Sequence, residues 1–302
     1  MTNEQRMKNL CVPQRTVDVV LDTDAYNEID DQFAIAYLLR SKDKLNVKAL
    51  YAAPFHNKLS SSAEDGMEKS YQEIGKLLAL LGEDVPYFRG SKTYLPDEKT
   101  SVISPAAAHL AELARQYSPE HPLYVVAIGA ITNVASAILL DSCVAQNTVV
   151  VWLGGHAVHF HTAKEFNLYQ DIAAARVVIG SGVPFVQLPC NGVVSSFRIS
   201  KPELEYWLKG KTPLSEYLAQ NTIQAAESYA AGTPWTRVLW DVTAVAWLLN
   251  DKDRFMKSRL QPIALPTYDH YYTVMPNAHP MCYVYHVNRD ALMTDLIQKL
   301  TQ

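Results

Sequence analysis

Two continuous apolar runs, LYVVAIG at 123–129 and TVVVWLGG at 148–155, end in glycine and show no alternation of polar and apolar residues. A strand with one wet face alternates. A strand that does not alternate is covered on both faces, which is the situation inside a parallel sheet sandwiched by helices. Shorter runs of the same kind at 17–22, 47–52 and 184–189 alternate with helical patterns at 32–40, 64–81, 202–209, 214–230 and 240–250, and LMTDLIQKL closes the chain. The pattern predicts an α/β fold: a mostly parallel central sheet with helices on both faces, read as a single domain over 1–302 with a polar N-terminal tail at 1–15.

Composition removes several function classes. Of the 302 residues, 48% are hydrophobic and 19% charged, so a large core can form and disorder is not expected. The net charge is −4 and the 27 Lys and Arg form no basic run, which argues against nucleic acid as a partner. Cys11, Cys143, Cys190 and Cys282 lie far apart without paired spacing, so they read as reduced, mostly buried thiols rather than a disulfide framework or zinc site. No segment has the length and apolarity of a membrane span and the N-terminus is polar, so the expectation is a cytoplasmic protein without membrane contact.

In an open α/β sheet, ligands bind outside the carboxyl ends of the strands. DTDAYNEIDD, YAAPFHN, IGAITN and GGHAVHFHTAKEFN all follow expected strands. The first is the most demanding, because Asp22, Asp24, Glu28, Asp30 and Asp31 are held between two apolar runs. Asp22 and Asp24, two apart at a strand end, leave the backbone on the same side. Asp30 and Asp31 open a helix, where the dipole favours anions. Five carboxylates exceed what one helix dipole offsets, since like charges about 4 Å apart at an effective dielectric near 20 repel by about 4 kcal/mol per pair. Either some stay protonated or a cation holds them, and oxygen donors without Cys or a compact His pair favour Ca²⁺ or Mg²⁺. Asp241, which opens the apolar helix VTAVAWLL, would be buried without a partner and belongs with them. His156, His159 and His161 share a Gly-flanked loop but lack a fourth zinc ligand.

DTDAYNEIDD resembles the Asp-x-Asp-Pro-Gly-x-Asp-Asp signature of the inosine–uridine-preferring nucleoside hydrolases, with two residues inserted and AYNEI in place of Pro-Gly. AITNVASA, VVVWLGG, AKEFN and LWDVTAVAWLL are similar to further elements of that family, in the same order. The resemblance implies a Rossmann-like fold and calcium-dependent hydrolysis of the N-glycosidic bond of a ribonucleoside. It implies Asp24 as calcium ligand and general base, Asp31, Asp241 and the Thr132 carbonyl as further ligands, and Asp22 as a supporting carboxylate behind them. It also implies Asp30, Asn57, Glu165 and Asn167 around the ribose or the metal, and a homodimer or homotetramer. This accords with water attacking an anomeric carbon through an oxocarbenium-like state.

The chain departs from the family pattern in ways that bear on the base. The residue before Asp241 is Trp240, where many relatives carry a histidine that protonates the departing base. The asparagine usual between Gly-Gly and Glu-Phe-Asn is missing, and Glu28 sits beside the insertion. Trp240 cannot act as an acid but can stack on a base, together with Trp235, and a purine offers more surface, so purine nucleosides are the expectation. Two other functions fit parts of the chain: a nucleoside-binding protein without catalysis on the same scaffold, and a Mg²⁺-dependent Asp-x-Asp phosphohydrolase. The latter lacks its late acidic element here.

Overall fold

The computed structural model describes residues 1–275 and 279–302. Six parallel strands, β1 (Val17–Thr23), β2 (Leu45–Ala52), β3 (Tyr87–Phe88), β4 (Leu123–Ala127), β5 (Thr148–Leu153) and β6 (Phe185–Leu188), stand in the order β3-β2-β1-β4-β5-β6. Beyond β6 the sheet continues with the parallel strand Pro280–Val287 and closes on the antiparallel edge strand Met256–Pro262. The mostly parallel sheet with helices around it is the expected fold.

The lack of alternation in the strands has a direct cause. Val19 and Leu21 of β1 enter one apolar layer while Val20 enters the other. The first layer is filled by the helices Asp30–Leu39 and Val242–Leu248, through Phe33, Tyr37 and Trp247. The second is filled by Pro105–Ala114, Thr132–Leu140 and Ile172–Gly180, through Leu110, Val134 and Val178. Helix ends follow local chemistry. Ala63–Leu81 begins where the Ser62 hydroxyl accepts the Asp65 N–H at 3.1 Å and stops at Gly82, whose φ of 66° suits a residue without Cβ.

Several expectations are corrected. The polar segment 1–15 is not a plain tail: it contains the helix Asn3–Asn9, and Leu10 joins the core. The pattern at 202–209 becomes a short turn, Lys201–Glu203, continued by a π-helix, Leu204–Leu208. The late helix is shorter than 240–250, spanning Val242–Leu248. Cys11 is exposed and Cys143 half-buried, so two of the four free thiols escape the core. Among the described residues, no helix is long and apolar enough to cross a membrane.

The strand order reverses between β1 and β4, and the crevice at their carboxyl ends is the place where this architecture leaves room for a ligand. One buried side chain ties its walls together. Asn133 donates to Asp22 Oδ1 at 2.7 Å and to the Ala52 carbonyl at 3.1 Å, and its Oδ1 accepts the Ser91 N–H at 2.7 Å. Asn133→Ala would leave all three groups buried and unpaired, each costing about 1–3 kcal/mol. The expected result in urea denaturation is a loss of at least about 3 kcal/mol; a loss below about 1 kcal/mol would show that the network contributes little.

Candidate active site

At the end of β1 and just beyond it stand two buried aspartates, Asp22 and Asp24, of which Asp24 lines the crevice. Asp22 is spoken for by Asn133, although its Oδ2 is buried without a partner. Asp24 is 1% exposed, and neither of its carboxylate oxygens has a hydrogen-bond partner. Room for it is made by Gly129 after β4, where a Cβ would come within 2.8 Å of Asp24 Oδ1. From the opening turn of Asp30–Leu39, Asp31 accepts the Thr23 hydroxyl at 2.5 Å and Asp30 accepts the Asp241 N–H at 3.2 Å. Asp30 Oδ1 is again buried and unpaired. One carboxylate oxygen from each of Asp30, Asp31 and Asp241 lies within 4.8 Å of the other two, and all three residues are buried.

Burial is the first cause of the upward pKa shift of every member of this cluster, and repulsion from neighbouring carboxylates, Glu28 in the case of Asp30, adds to it. Asp22 and Asp30 are each pushed up to about 7, while Asp24, Asp31 and Asp241 lie well above the usual carboxylate range. Orphaned anionic oxygens facing one another fit a bound cation. With only oxygen donors in the group, the fit is to a hard ion.

The cavity that holds these groups has a volume of about 220 Å³. Asp24, Asp30, Asp31 and Asp241 line it, and so do Glu165, Asn167 and Trp240. Glu165 caps the helix Phe166–Gln170 and accepts the N–H groups of Gly155, Asn167 and Leu168 at 2.9, 2.9 and 3.1 Å. Asn167 spends its amide N–H groups on the Ile128 and Leu153 carbonyls at 3.0 and 3.1 Å, which leaves its Oδ1 for a ligand. Trp240 is half-buried, with one side on the core and another on the cavity, whereas Trp247 is wholly core.

Asp22, expected as a supporting carboxylate, does not line the cavity, and of the residues expected at the site Thr132 and Asn57 do not line it either. Thr132 is fully buried and its hydroxyl donates to Asp171 Oδ2 at 2.7 Å. Asn57 is one residue removed: its amide donates to Asn27 Oδ1 at 2.6 Å, and Asn27 lines the cavity. Sequence reasoning passed over Asn27, Cys190 and Asn191, and considered His156 only as a zinc ligand. Cys190 and Asn191 follow β6 and His156 follows β5, so the strand-end rule that located the other residues also covers them. Asp171, which accepts from Thr132, the Leu95 N–H and the Ala174 N–H, was hidden because only the fold brings those donors together.

Comparison with known proteins accords with this geometry. The profile of the inosine-uridine preferring nucleoside hydrolases matches residues 19–291. The chain is 28% identical to the pyrimidine-specific ribonucleoside hydrolase RihA of Salmonella paratyphi A, over 76% of this chain and 79% of that protein. Among solved structures, it superposes on a purine-preferring ribonucleoside hydrolase from Gardnerella vaginalis with a TM-score of 0.76 and 18% identity, covering 94% of this chain and 98% of the other. A plant nucleoside hydrolase gives a TM-score of 0.75 at 18% identity, covering 94% and 99%. These likenesses support the fold, and the profile match carries the family. The chain belongs to the inosine-uridine preferring nucleoside hydrolases and is a nucleosidase, an enzyme that hydrolyses N-glycosidic bonds.

Proposed function

We propose that the protein hydrolyses the N-glycosidic bond of a ribonucleoside to ribose and free base, with Ca²⁺ held by Asp24, Asp31, Asp241 and the Thr132 carbonyl. The observation that carries this reading is Asp24: a carboxylate with both oxygens buried and unpaired, beside three further aspartates, in the crevice where the strand order reverses. When bound, the cation supplies the positive charge that offsets these carboxylates and eases loss of a proton from water beside Asp24. Asp24 accepts that proton as the water attacks the anomeric carbon. Asp30 and Asn167 face the sugar from the cavity wall, Glu165 sets the local backbone, and Asn57 acts through Asn27. A small-molecule nucleoside is then the natural partner, in a cytoplasmic homodimer or homotetramer as the family resemblance implies.

For the base, Trp240 on the cavity wall supports stacking and a preference for purines. A second reading, pyrimidine preference, is favoured by the curated relatives, whose names describe pyrimidine-specific ribonucleoside hydrolases. The two separate in kcat/KM for inosine, adenosine, uridine and cytidine, measured in wild type and Trp240→Ala. Purine preference predicts that the substitution costs inosine and adenosine most, by about 2- to 10-fold for a stacking contribution of about 0.5–1.5 kcal/mol. Uridine as the best wild-type substrate, or an equal loss on all four, rejects it.

Asp24→Asn is expected to lower kcat by about 10²–10⁴-fold, the usual contribution of a positioned base, while the fold persists by circular dichroism. Exhaustive chelation should have a comparable effect. Undiminished activity in either experiment refutes the assignment.

The raised pKa values also make a stability prediction. A carboxyl whose folded pKa exceeds its unfolded value of about 4 binds its proton more tightly when folded. Its stabilising contribution is complete below about pH 4 and is lost as pH rises through the folded value, here about 7 for Asp22 and Asp30. Chelated protein should therefore lose this contribution between pH 5 and 8, whereas bound Ca²⁺ favours the ionised forms. The gap in Tm between calcium-loaded and chelated protein is expected to widen over that range. A constant gap would count against metal binding at the cluster.

A further inference from the structure

The departing base carries the electron pair of the broken bond, and Trp240 offers it no practical proton. The other cavity groups are mostly committed. Glu165 accepts three backbone N–H groups, Glu28 pairs with Arg237 at 3.0 Å, and the Cys190 thiol is turned to Glu165. Asn27 accepts from Asn57. One imidazole lines the same cavity: His156, on the loop after β5.

We infer that His156 donates its ring N–H to the leaving base and stabilises the negative charge that develops there, the part that Trp240 cannot play. This inference rests on the nucleoside-hydrolysing reading of the cavity. The donor is set by the ring's own contacts. The Asn191 backbone N–H approaches Nδ1 at 3.4 Å, so Nδ1 is the acceptor and the ring proton sits on Nε2. The Asn191 side-chain amide lies 3.4 Å from Nε2 and, with its oxygen turned to the ring, accepts a hydrogen bond from Nε2–H. Both contacts are long, so an acceptor on the substrate can replace the second. Burial lowers the imidazole pKa and so favours the neutral ring, while a hydrogen bond with the Lys164 backbone raises it in part.

The loop that presents His156 is held on three sides. The Tyr272 hydroxyl donates to the His156 carbonyl at 3.0 Å, Gln187 donates to the Gly154 carbonyl at 3.0 Å, and the Val158 N–H donates to the Tyr283 hydroxyl at 3.2 Å. Gly155, at φ 72°, packs so closely that a Cβ would stand 2.1 Å from the Tyr272 oxygen. A donor fixed in this way costs little reorganisation when charge develops in front of it. The balance of the step is simple. The C1′–N bond breaks and its electron pair stays on the base nitrogen, hydrogen-bonded by Nε2–H. Water gives its hydroxyl to C1′ and its proton to Asp24. The base takes a proton from solvent, and Asp24 returns one.

The test compares leaving groups on one sugar: inosine and uridine against p-nitrophenyl riboside, whose phenolate departs without help. For His156→Ala, kcat/KM on the nucleosides is expected to fall about 10²-fold, mostly in kcat, with p-nitrophenyl riboside within about threefold of wild type. The riboside thus also reports that the variant is folded. His156→Gln, which keeps an N–H donor, should recover about tenfold of the loss. Equal losses on nucleosides and riboside, or no loss on either, overturn the inference while leaving the hydrolase reading intact. A wild-type protein that cleaves no nucleoside overturns both.

Discussion

Carboxylates that repel one another with little counter-charge dominate the energetics of this molecule's functional end. Asp24, Asp30, Asp31 and Asp241 are buried together, and three of their oxygens meet no donor among the described residues. At an effective dielectric near 20, each close pair costs about 4 kcal/mol if both are ionised. The fold brings donors to the edge of the cluster, namely the Thr23 hydroxyl and the Asp241 N–H, and the Arg237 guanidinium offsets part of the charge on Asp30. Such an arrangement persists where something from outside supplies charge, or where protons remain on the acids.

The scaffold around the cluster follows from the need to hold that repulsion in place. Two apolar layers, one on each face of the sheet, fix the carboxyl ends of β1 and β4, and the chain reverses its strand order between them. Asn133 then stitches β1, β2 and the 90–91 turn into one wall. Around the rim, the loops after β5 and β6 bring polar groups whose own hydrogen bonds are either complete, as in Glu165, or long and exchangeable, as between His156 and Asn191. Groups already satisfied act as framework. Groups loosely paired are the ones a substrate can engage.

Much of the site could be read from the chain because two signals are local. A strand end followed by a crowd of acids, and an aspartate opening an apolar helix, are visible in the sequence, and the structure places Asp24, Asp30, Asp31 and Asp241 on one cavity. Glu165, Asn167 and Trp240 line it as well. Asn57 was placed one residue too far forward, because nothing in the sequence shows that Asn27 stands between it and the cavity. The strands Met256–Pro262 and Pro280–Val287 were overlooked for a related reason. The first is an edge strand with a mixed, half-exposed pattern, and the second adds to β6 from almost a hundred residues away.

The sequence by itself therefore determined the layered α/β class, the parallel inner strands and the acidic centre. Each is encoded by residue type within a short window: unbroken apolar runs, helix starts and carboxylate spacing. Tertiary structure alone decided which polar groups are consumed by the framework and which remain open. Thr132 is tied to Asp171, Asn133 to Asp22, and Asn57 to Asn27, and each pair lies on different elements. It also decided that the histidine of the β5 loop and the asparagine after β6 share the cavity with Trp240. Hydrogen-bond partners and cavity walls are made between segments remote in sequence, so their identity appears only once the sheet has set the distances.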